Sequence, residues 1–272
     1  MKPLLKYHGG KYYLKDFIIS NFPAGYENMV YVEPFLGGGS ILLNKKKSDI
    51  EIVSDIYTPL YYTWTIVQVK VELEYLKQKL SSIEYNKSNF ESALRILNSG
   101  NYTSETFYVV NRMSRGGMGK NFAYSERLRG GIPGDINAWN NSIKNLDAIH
   151  DRIRDCEILY ASYQEAISLG VTKSSSNKKE MFAYLDPPYL PSTRTSKKVY
   201  RHEWSEDDHK RFLKFVNWIG ISGENKILIS GYMSDLYRKE LHHWNVVEKN
   251  IVNHSSQAKK KSMRTEVLWR NY

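Results

Sequence analysis

Residues 181–189 constrain the fold of this chain more than any other stretch. They read Met-Phe-Ala-Tyr-Leu-Asp-Pro-Pro-Tyr, an apolar run that stops at a carboxylate, two prolines and an aromatic ring. An uninterrupted apolar run is typical of a central strand in a sheet that is covered on both faces. Pro187 has no N–H to donate, so strand pairing must stop there. We therefore predict a buried strand over Met181–Leu185 in an open α/β sheet, with its polar tip in the crevice where such sheets bind ligands.

The tip of that strand suits the activation of a weak nitrogen nucleophile. An amino group conjugated to an aromatic ring has a delocalised lone pair, so it must be activated as a nucleophile without being fully deprotonated. The Asp186 carboxylate can accept one N–H and the Pro187 carbonyl the other, which draws the nitrogen towards a tetrahedral geometry. Pro187 and Pro188 fix the backbone around that carbonyl, and Tyr189 offers a flat face to a base taken out of its helix. The alternative is a strand end followed by a proline turn.

The charge of the chain favours a polyanionic partner. Its 272 residues include 39 Lys and Arg against 29 Asp and Glu, which gives a net charge of +10. The 21 Tyr and 6 Trp add side chains that can stack on bases. A hydrophobic content of 41% is enough to pack one large domain or a core with an insert. Nucleic acid is therefore the favoured partner, and a basic protein without such a partner is the alternative.

Cysteine and histidine positions argue against disulfides and metal sites. Cys156 is the single cysteine, which excludes an internal disulfide and a cysteine-based metal site and fits a reducing cytoplasm. His242 and His243 are not spaced to share a metal with a carboxylate, so we expect no metal. The sequence has no signal peptide and no apolar run of membrane-spanning length. We expect a cytoplasmic protein without membrane contact, as a monomer or a weak dimer.

Two glycine-rich stretches near the N-terminus indicate a ligand site. Residues 3–12 place Gly9 and Gly10 between Tyr7 and Lys11, where the glycines permit close backbone approach, the lysine can meet a carboxylate and the tyrosine can cover a flat ring. A surface turn before a helix, over about residues 13–22, is the alternative. The second stretch, residues 29–44, reads as a strand, a glycine turn and an apolar helical segment that begins at Ser40.

The second stretch does not fit a nicotinamide dinucleotide site. Such a site requires Gly-x-Gly-x-x-Gly, and Leu42 stands where the third glycine would be. A further strand over residues 50–54 ends at Asp55, which is placed to accept hydrogen bonds from both hydroxyls of a ribose. A helix cap is the alternative role for Asp55.

Residues 62–155 are more helical and polar, and we interpret them as an insert between the halves of the sheet. Residues 107–134 are rich in Arg, Lys, Asn and Gly, which read base edges and phosphates and let a loop or hairpin enter a groove. A solvated basic surface is the alternative. We predict one helix over residues 137–153 and a returning strand over Glu157–Tyr160.

The C-terminal part supplies the remaining strands and helices. We predict a polar, flexible loop over residues 172–179, a capped helix over 205–219, a strand over 226–230, and a terminal hairpin of residues 244–252 with 266–272. Residues 191–202 form a loop with hydroxyl and basic side chains beside the proposed site, and residues 253–264 form a basic loop suited to phosphates. We expect the first of these loops to become ordered on DNA.

Taken together, the motifs resemble those of the D12-class, Dam-like DNA adenine-N6 methyltransferases. The match rests on Tyr7-x-Gly-Gly-Lys11, Glu33-Pro-Phe-x-Gly-x-Gly39, the basic insert and Asp186-Pro-Pro-Tyr189, in the family's order. The resemblance implies a Rossmann-like class I methyltransferase sheet of seven strands with the last antiparallel, and a mainly helical target-recognition insert. Residues 1–61 with 156–272 would form the catalytic domain.

The resemblance also implies roles for individual residues. S-adenosylmethionine would be the cofactor and double-stranded DNA the partner. The expected catalytic residues are Asp186, Pro187, Pro188 and Tyr189. The expected cofactor-binding residues are Tyr7, Gly9, Gly10, Lys11, Glu33, Pro34, Phe35, Gly37, Gly39, Ser40, Asp55, Ile56 and Asp186. The expected DNA-binding residues are Asn111, Arg112, Arg115, Lys120, Asn121, Arg127, Arg129, Arg194, Lys197 and Lys198.

The implied reaction is methyl transfer to N6 of an adenine flipped out of a short specific DNA sequence. Residues 113–120, which follow Asn111-Arg112, depart from the Dam pattern, so specificity for GATC is not implied. Two alternatives stay open. One is methylation of RNA adenine or of cytosine N4, and the other is a DNA-binding module with a silent site.

Overall fold

The described part of this computed structural model comprises residues 1–7, 9–194, 202–221, 223–252 and 263–272. The larger sheet contains β1 (Val30–Glu33), β2 (Ile50–Asp55), β5 (Glu157–Tyr160), β6 (Met181–Leu185), β7 (Asn225–Gly231), β8 (Asn245–Val252) and β9 (Met263–Arg270). A small hairpin is made by β3 (Leu128–Arg129) and β4 (Ile132–Pro133).

The helices fall into two groups along the chain. Those before β5 are α1 (Lys15–Ile19), α2 (Thr58–Gln68), α3 (Lys70–Ser81), α4 (Lys87–Asn98), α5 (Ser104–Met113), α6 (Gly134–Lys144) and α7 (Leu146–Ile153). Those after it are α8 (Tyr163–Asn177), α9 (Glu206–Gly220) and α10 (Asp235–Glu240).

The larger sheet confirms the predicted α/β class. Its seven strands follow the order β5-β2-β1-β6-β7-β9-β8. Strand β6 pairs in parallel with β1 on one side and with β7 on the other, and every residue of β6 is buried. The apolar run at Met181–Leu185 therefore forms the central strand that it predicted. Strand β9 is antiparallel to both β7 and β8.

Three local predictions are wrong. Residues 172–177 belong to α8 and are not a loop, because Ser162 and Glu165 form a capping box that starts the helix. Its polar side chains bond to carbonyls one turn back, such as Thr172 to Ser168 at 3.0 Å. The helix predicted over residues 137–153 is two helices, α6 and α7, which meet at Asn145. The segment after Ser40 forms turns in place of a regular helix.

The chain divides into two compact units, and each is described separately. The first unit contains Met1–Ile19, Leu36–Lys47 and Val53–Ala161, and the second contains Ser20–Phe35, Ser48–Ile52 and Ser162–Tyr272. In the first unit, Trp64 of α2 and Tyr108 of α5 are fully buried. In the second unit, Phe182 of β6 packs edge-on against Phe22 at 4.6 Å between ring centroids. Large aromatic side chains such as these bury extensive apolar area and help to stabilise each unit.

Three parallel strands of the second unit end at one edge of the sheet. Val32 of β1 lies opposite Ala183 of β6, and Leu185 of β6 lies opposite Ile229 of β7. The residues that follow these strands therefore leave the sheet at the same edge, where ligands bind in open α/β folds. They include Pro34 and Phe35 after Glu33, the last residue of β1, and Asp186 after β6.

The buried His209 of α9 makes the stability of the second unit depend on pH. Its Nδ1 hydrogen-bonds the Tyr237 hydroxyl at 2.9 Å, and its Nε2 has no hydrogen-bond partner among the described residues. Burial lowers the pKa of His209 from 6.5 to about 4, with Asp208 acting in the opposite direction and Arg194 in the same direction. The unfolded chain therefore binds the proton first as pH falls.

We expect the free energy of unfolding to decrease by about 3 kcal/mol as pH falls from about 6.5 to about 4 through this residue alone. The sign follows because a depressed histidine pKa favours the neutral form in the folded state. Denaturant unfolding at several pH values should show a shallower acid loss for His209→Asn than for the wild type. His242→Asn, at an exposed position, should keep the wild-type slope. Equal slopes for the wild type and His209→Asn would contradict the assignment.

Candidate functional site

Asp186 lies at the end of the central strand with its carboxylate held by the neighbouring strand. Ser230 of β7 donates to Asp186 Oδ1 at 3.0 Å, and the Tyr184 hydroxyl lies 3.0 Å from Ser230 Oγ. Burial raises the pKa of Tyr184 well above its usual value, so its hydroxyl stays protonated. Because Ser230 has one proton and gives it to Asp186, Tyr184 is the donor to Ser230. Asp186 itself is half-buried, so its orientation is fixed while part of it remains accessible.

Tyr189 is anchored at both its ring and its hydroxyl. The side chain is 7% exposed, and its hydroxyl donates to the buried Glu266 of β9. Its ring meets Tyr232 edge-on, with 4.6 Å between centroids and an interplanar angle of 75°. The Arg264 guanidinium lies 5.4 Å from the centroid of the Tyr232 ring. Tyr189 is therefore held in one orientation by residues of β9 and of the segment after β7.

A cavity opens beside Tyr232 in the second unit. Its volume is about 540 Å³, within the range of ligand pockets. Its lining is rich in hydroxyl groups and includes one cation, Arg264. The lining residues are Ser192, Thr193, Tyr232, Met233, Ser234, Asp235, Arg264 and Thr265. Such a lining can hydrogen-bond a polar, flat ligand from several sides.

The hydroxyl contact to Glu266 predicts that Tyr189 stabilises the second unit. We expect Tyr189→Phe to lower the free energy of unfolding by about 1–3 kcal/mol, because the buried Glu266 loses a donor. Denaturant unfolding would measure the effect. Tyr272→Phe is a matched control in the same unit, since the Tyr272 hydroxyl donates to the Asn21 carbonyl at 2.8 Å, and it should lose less because that contact is only partly buried. An equal or smaller loss for Tyr189→Phe would contradict the role assigned to the contact.

The end of β1 carries a buried carboxylate, and the segment after it carries a ring in an aromatic cluster. Tyr31 donates to Glu33 at 2.6 Å, and burial raises the pKa of Tyr31 well above its usual value, so it remains a donor. The Phe35 ring stacks on Tyr163 with 5.9 Å between centroids, and Trp204 meets it edge-on at 5.5 Å. Both Tyr163 and Trp204 are half-buried.

Sequence reasoning missed Tyr163 and Trp204 as candidate site residues. Tyr163 is the first residue of α8, three positions beyond β5, and Trp204 precedes the Ser205 cap of α9. The available signal was the position of Tyr163 directly after a strand end, which is where open α/β sheets place ligand contacts.

In the first unit, residues 36–40 form the Gly-rich loop, which is fixed by Asp55 and Trp64. The two oxygens of Asp55 accept from Gly37 N at 3.0 Å and from Tyr57 N at 2.9 Å. The Trp64 indole donates to the Gly37 carbonyl at 3.0 Å. Gly37 and Gly39 have φ values of 49° and 70°, which favour glycine. Asp55 thus shapes the loop, in addition to the ligand role predicted for it.

The N-terminal motif lies against this loop in the same unit. A Cβ added to Gly37 would lie 3.1 Å from the Tyr7 ring, so the ring packs closely on the loop. A Cβ added to Gly10 would lie 3.8 Å from Ser40 Oγ. Lys11 Nζ donates to the Gly9 carbonyl at 2.9 Å. The structure thus brings together these predicted cofactor residues of the first unit: Tyr7, Gly9, Gly10, Lys11, Gly37, Gly39, Ser40, Asp55 and Ile56.

The predicted DNA-binding residues fall into two groups. One group is exposed on the loop after α5 and around the β3–β4 hairpin, and comprises Arg115, Lys120, Asn121, Arg127 and Arg129. The other group is engaged within the protein. Asn111 is 4% exposed, and Arg112 donates to the Pro3 and Leu4 carbonyls at 2.7 and 2.6 Å.

The remaining predicted DNA contacts follow Tyr189. The Arg194 side chain is 6% exposed and donates to Glu203 at 2.5 Å. Lys197 and Lys198 lie outside the described residues, as do most of the loop expected to become ordered on DNA and residues 253–262 of the second basic loop.

Two further features concern metals and membranes. Across the described ranges, no group of three or more His, Cys, Asp or Glu side chains is arranged to hold a metal ion. The described helices include none with the length and apolar character needed to cross a bilayer.

Comparison with known proteins identifies similar sequences over most of the chain. Residues 7–255 match the family model of D12 class N6 adenine-specific DNA methyltransferase. The Type II methyltransferase M.MjaIII of Methanocaldococcus jannaschii is 26% identical over 296 aligned positions, which cover 100% of this chain and 99% of that protein. The DNA adenine methylase of Serratia marcescens is 24% identical, with 89% and 87% covered. Modification methylase StsI of Streptococcus sanguinis is 23% identical, and the match covers 100% of this chain and 43% of that protein.

Proposed function

Since this chain belongs to the family of D12 class N6 adenine-specific DNA methyltransferases, we propose that it transfers a methyl group from S-adenosylmethionine to N6 of an adenine turned out of the DNA helix. The observation that carries the mechanism is the orientation of Asp186. Ser230 donates to one carboxylate oxygen, while the half-buried side chain keeps contact with the crevice at the sheet edge. A fixed acceptor at this place suits a weakly nucleophilic aromatic amine.

The Gly-rich loop of the first unit fits the proposed cofactor. A Cβ on Gly37 would meet the Tyr7 ring and one on Gly39 would meet the Trp64 ring, so the two glycines let the loop backbone pack closely against these rings in the tight turn that such a cofactor loop requires. Lys11 would pair with the carboxylate of the methionine portion, and Asp55 would hold the ribose hydroxyls. Ile56, which is exposed beside Asp55, would cover part of the adenine. When bound, S-adenosylmethionine supplies an electrophilic methyl group on a sulfonium.

The residues after β6 would prepare the target amine. Asp186 would accept one N6–H bond and the Pro187 carbonyl the other, which localises the lone pair on nitrogen. The lone pair of N6 would attack the methyl group that the cofactor supplies, and the cofactor's sulfur would leave as a neutral thioether. Asp186 would accept the proton lost from N6 and pass it to water. Holding the amine in line with the methyl group supplies much of the rate acceleration.

The second unit offers room for a flipped base. The cavity beside Tyr232 is large enough for a nucleotide, and its hydroxyl groups can hydrogen-bond base edges. Tyr232 lines the cavity and supplies aromatic surface to it, and the buried Tyr189 supports the Tyr232 ring in edge contact at 4.6 Å. Removing a base from its stack costs a few kcal/mol, which stacking and hydrogen bonds in such a pocket offset.

We assign recognition of the DNA sequence to residues 62–155. The support is the exposure of Arg115, Lys120, Arg127 and Arg129 around glycine-rich turns. Arginine reads guanine edges and phosphates, and lysine contacts phosphates. The β3–β4 hairpin turns at Gly130 and Gly131, which have φ values of 63° and 82° and suit a two-residue turn.

The test is expression in a host that lacks DNA methylation, followed by single-molecule sequencing of the host DNA. We expect N6-methyladenine in one short sequence motif with the wild type and none with Asp186→Ala. Failure of the wild type to modify DNA would oppose the proposal. Transfer of a labelled methyl group from S-adenosylmethionine to RNA, or to cytosine in DNA, would then identify one of the alternative substrates.

A further inference from the structure

Residues 3–7, named here the N-terminal strap, lie along the Gly-rich loop. Leu4 N donates to the Gly38 carbonyl at 3.1 Å. A Cβ on Gly38 would lie 2.8 Å from the Leu5 carbonyl oxygen, and one on Gly37 would lie 3.1 Å from the Tyr7 ring. Contacts this close mean that movement of the strap must move the loop, because packed protein interiors have few voids to absorb a shift.

The strap also lies against the C-terminal turn of α5. Asn111 Oδ1 accepts from Lys6 N at 2.8 Å, and Asn111 Nδ2 donates to the Lys6 carbonyl at 2.8 Å. One buried side chain thus satisfies the donor and the acceptor of the Lys6 backbone, as a neighbouring strand would. Lys6 Nζ returns a hydrogen bond to the Arg112 carbonyl at 2.5 Å.

Arg112 holds the beginning of the strap. Its guanidinium donates to the carbonyls of Pro3 and Leu4 and lies 5.6 Å from the centroid of the Tyr108 ring. Hydrogen bonds from a charged donor are stronger than those between neutral groups. The Asn111 and Arg112 side chains thus hydrogen-bond the strap backbone in this structure and do not extend from the protein.

The loop that follows α5 packs against Lys6, the strap residue that Asn111 also contacts. Gly117 has a φ of 72°, and a Cβ at this position would lie 2.1 Å from the Lys6 carbonyl oxygen. Asn111 Nδ2 also donates to the Gly117 carbonyl at 3.4 Å. Arg115 and Lys120 on this loop are exposed and basic. Contact of this loop with DNA would therefore be transmitted to Lys6 through Gly117 and Asn111.

We propose that Asn111 and Arg112 are positioning residues that couple DNA binding at the loop after α5 to cofactor affinity at the Gly-rich loop. This inference rests on the proposed function, since it assumes that the two loops bind DNA and S-adenosylmethionine. The strap is the element shared by both loops. By linkage, DNA raises cofactor affinity by the same factor as the cofactor raises DNA affinity.

The experiment measures dissociation constants for S-adenosylhomocysteine, which cannot transfer a methyl group, by calorimetry with and without an oligonucleotide that carries the mapped site. We expect the wild type to bind it about tenfold more tightly with DNA. Asn111→Ala and Arg112→Ala should bind it more weakly without DNA and should reduce the coupling factor towards one. Arg112→Lys, which keeps a cation near the strap carbonyls, should retain part of the coupling.

Arg129→Ala, on the exposed β3–β4 hairpin, is the control from outside this loop. Its side chain should contribute to DNA affinity, so this variant should bind DNA more weakly while the coupling factor stays at the wild-type value. Arg112 is half-buried, so Arg112→Ala should fold even if Asn111→Ala does not, and circular dichroism would verify both.

Three results would overturn the proposal. In the first, the variants lose thermal stability but keep the cofactor affinity and the coupling factor, as expected if Asn111 and Arg112 have only a structural role. In the second, they lose only DNA affinity, as expected if Asn111 and Arg112 read DNA directly. In the third, the wild type shows no coupling. A wild type that binds no S-adenosylhomocysteine would instead reject the proposed function, and the coupling with it.

Discussion

Asp186→Ala should reduce methyl transfer by about a thousandfold or more while the protein stays folded. The carboxylate is the proposed acceptor for the N6–H bond, and loss of one preorganised polar group at a reacting centre costs about a hundredfold to a thousandfold. Loss of the proton acceptor adds to this effect. Asp186 is half-buried at the end of β6, so the protein should stay folded when its carboxylate is removed. Single-turnover transfer of a labelled methyl group to the mapped site would measure the rate.

Two variants test whether the effect is specific to the position. Asp207→Ala removes an exposed carboxylate from the first turn of α9 and should keep the wild-type rate. Ser230→Ala leaves the carboxylate but removes the hydrogen bond of 3.0 Å that orients it, so an intermediate loss of about tenfold is expected. Activity of Asp186→Ala within about tenfold of the wild type would contradict the mechanism, because a group this central contributes several kcal/mol to lowering the barrier.

Gly39→Ala should destabilise the first unit and weaken cofactor binding. A Cβ on Gly39 would lie 2.5 Å from the Trp64 ring, and the φ of 70° disfavours alanine. The backbone strain costs about 1–2 kcal/mol, and overpacking typically adds about 1–3 kcal/mol. Trp64 also holds the Gly37 carbonyl at 3.0 Å, so its displacement should shift the whole loop. We expect the affinity for S-adenosylhomocysteine to fall by about tenfold or more.

Gly100→Ala measures the cost of the backbone strain without the cost of overpacking. Gly100 has a φ of 84°, yet a Cβ there would meet nothing within 4 Å. Its variant should therefore lose only about 1–2 kcal/mol of stability and should keep the cofactor affinity. Denaturant unfolding and calorimetry on both variants would measure these quantities. Equal losses for the two variants would mean that Trp64 moves aside without cost, and that the loop tolerates its displacement.

Local sequence patterns predicted those features of the fold that depend on local chemistry. The apolar run before Asp186 specified a central strand because both faces had to be covered, and the prolines specified where it ends. Ser205 and Asp208 specified the start of α9 through their capping box. In contrast, the polar residues 172–177, which include three serines, favoured a loop, and tertiary packing of α8 overrode that preference. Gly170 allows this packing, since a Cβ there would lie 2.5 Å from a methyl group of Val32.

The partners of long polar side chains could not be predicted in this way. Asn111 and Arg112 look like surface groups in the sequence, but their partners are backbone atoms of residues 3–6, more than a hundred positions away. Arg194 likewise pairs with Glu203. Such contacts depend on which segments the fold brings together, and a sequence pattern indicates only that a donor or acceptor is present. Trp204 was missed for the same reason, because its neighbours come from the segment after β1, from α8 and from α9.

The β3–β4 hairpin has a consequence for how this enzyme can diversify. Leu128, Arg129 and Ile132 are exposed, and the hairpin closes through its own glycine turn, so substitutions at these positions change the protein surface without opening a cavity. Exposed substitutions of this kind usually alter stability by less than about 0.5 kcal/mol. If the hairpin reads DNA as proposed, new target sequences can be acquired by changing a few side chains while the catalytic strand ends stay as they are. Libraries randomised at these three positions are therefore a direct route to altered sequence specificity.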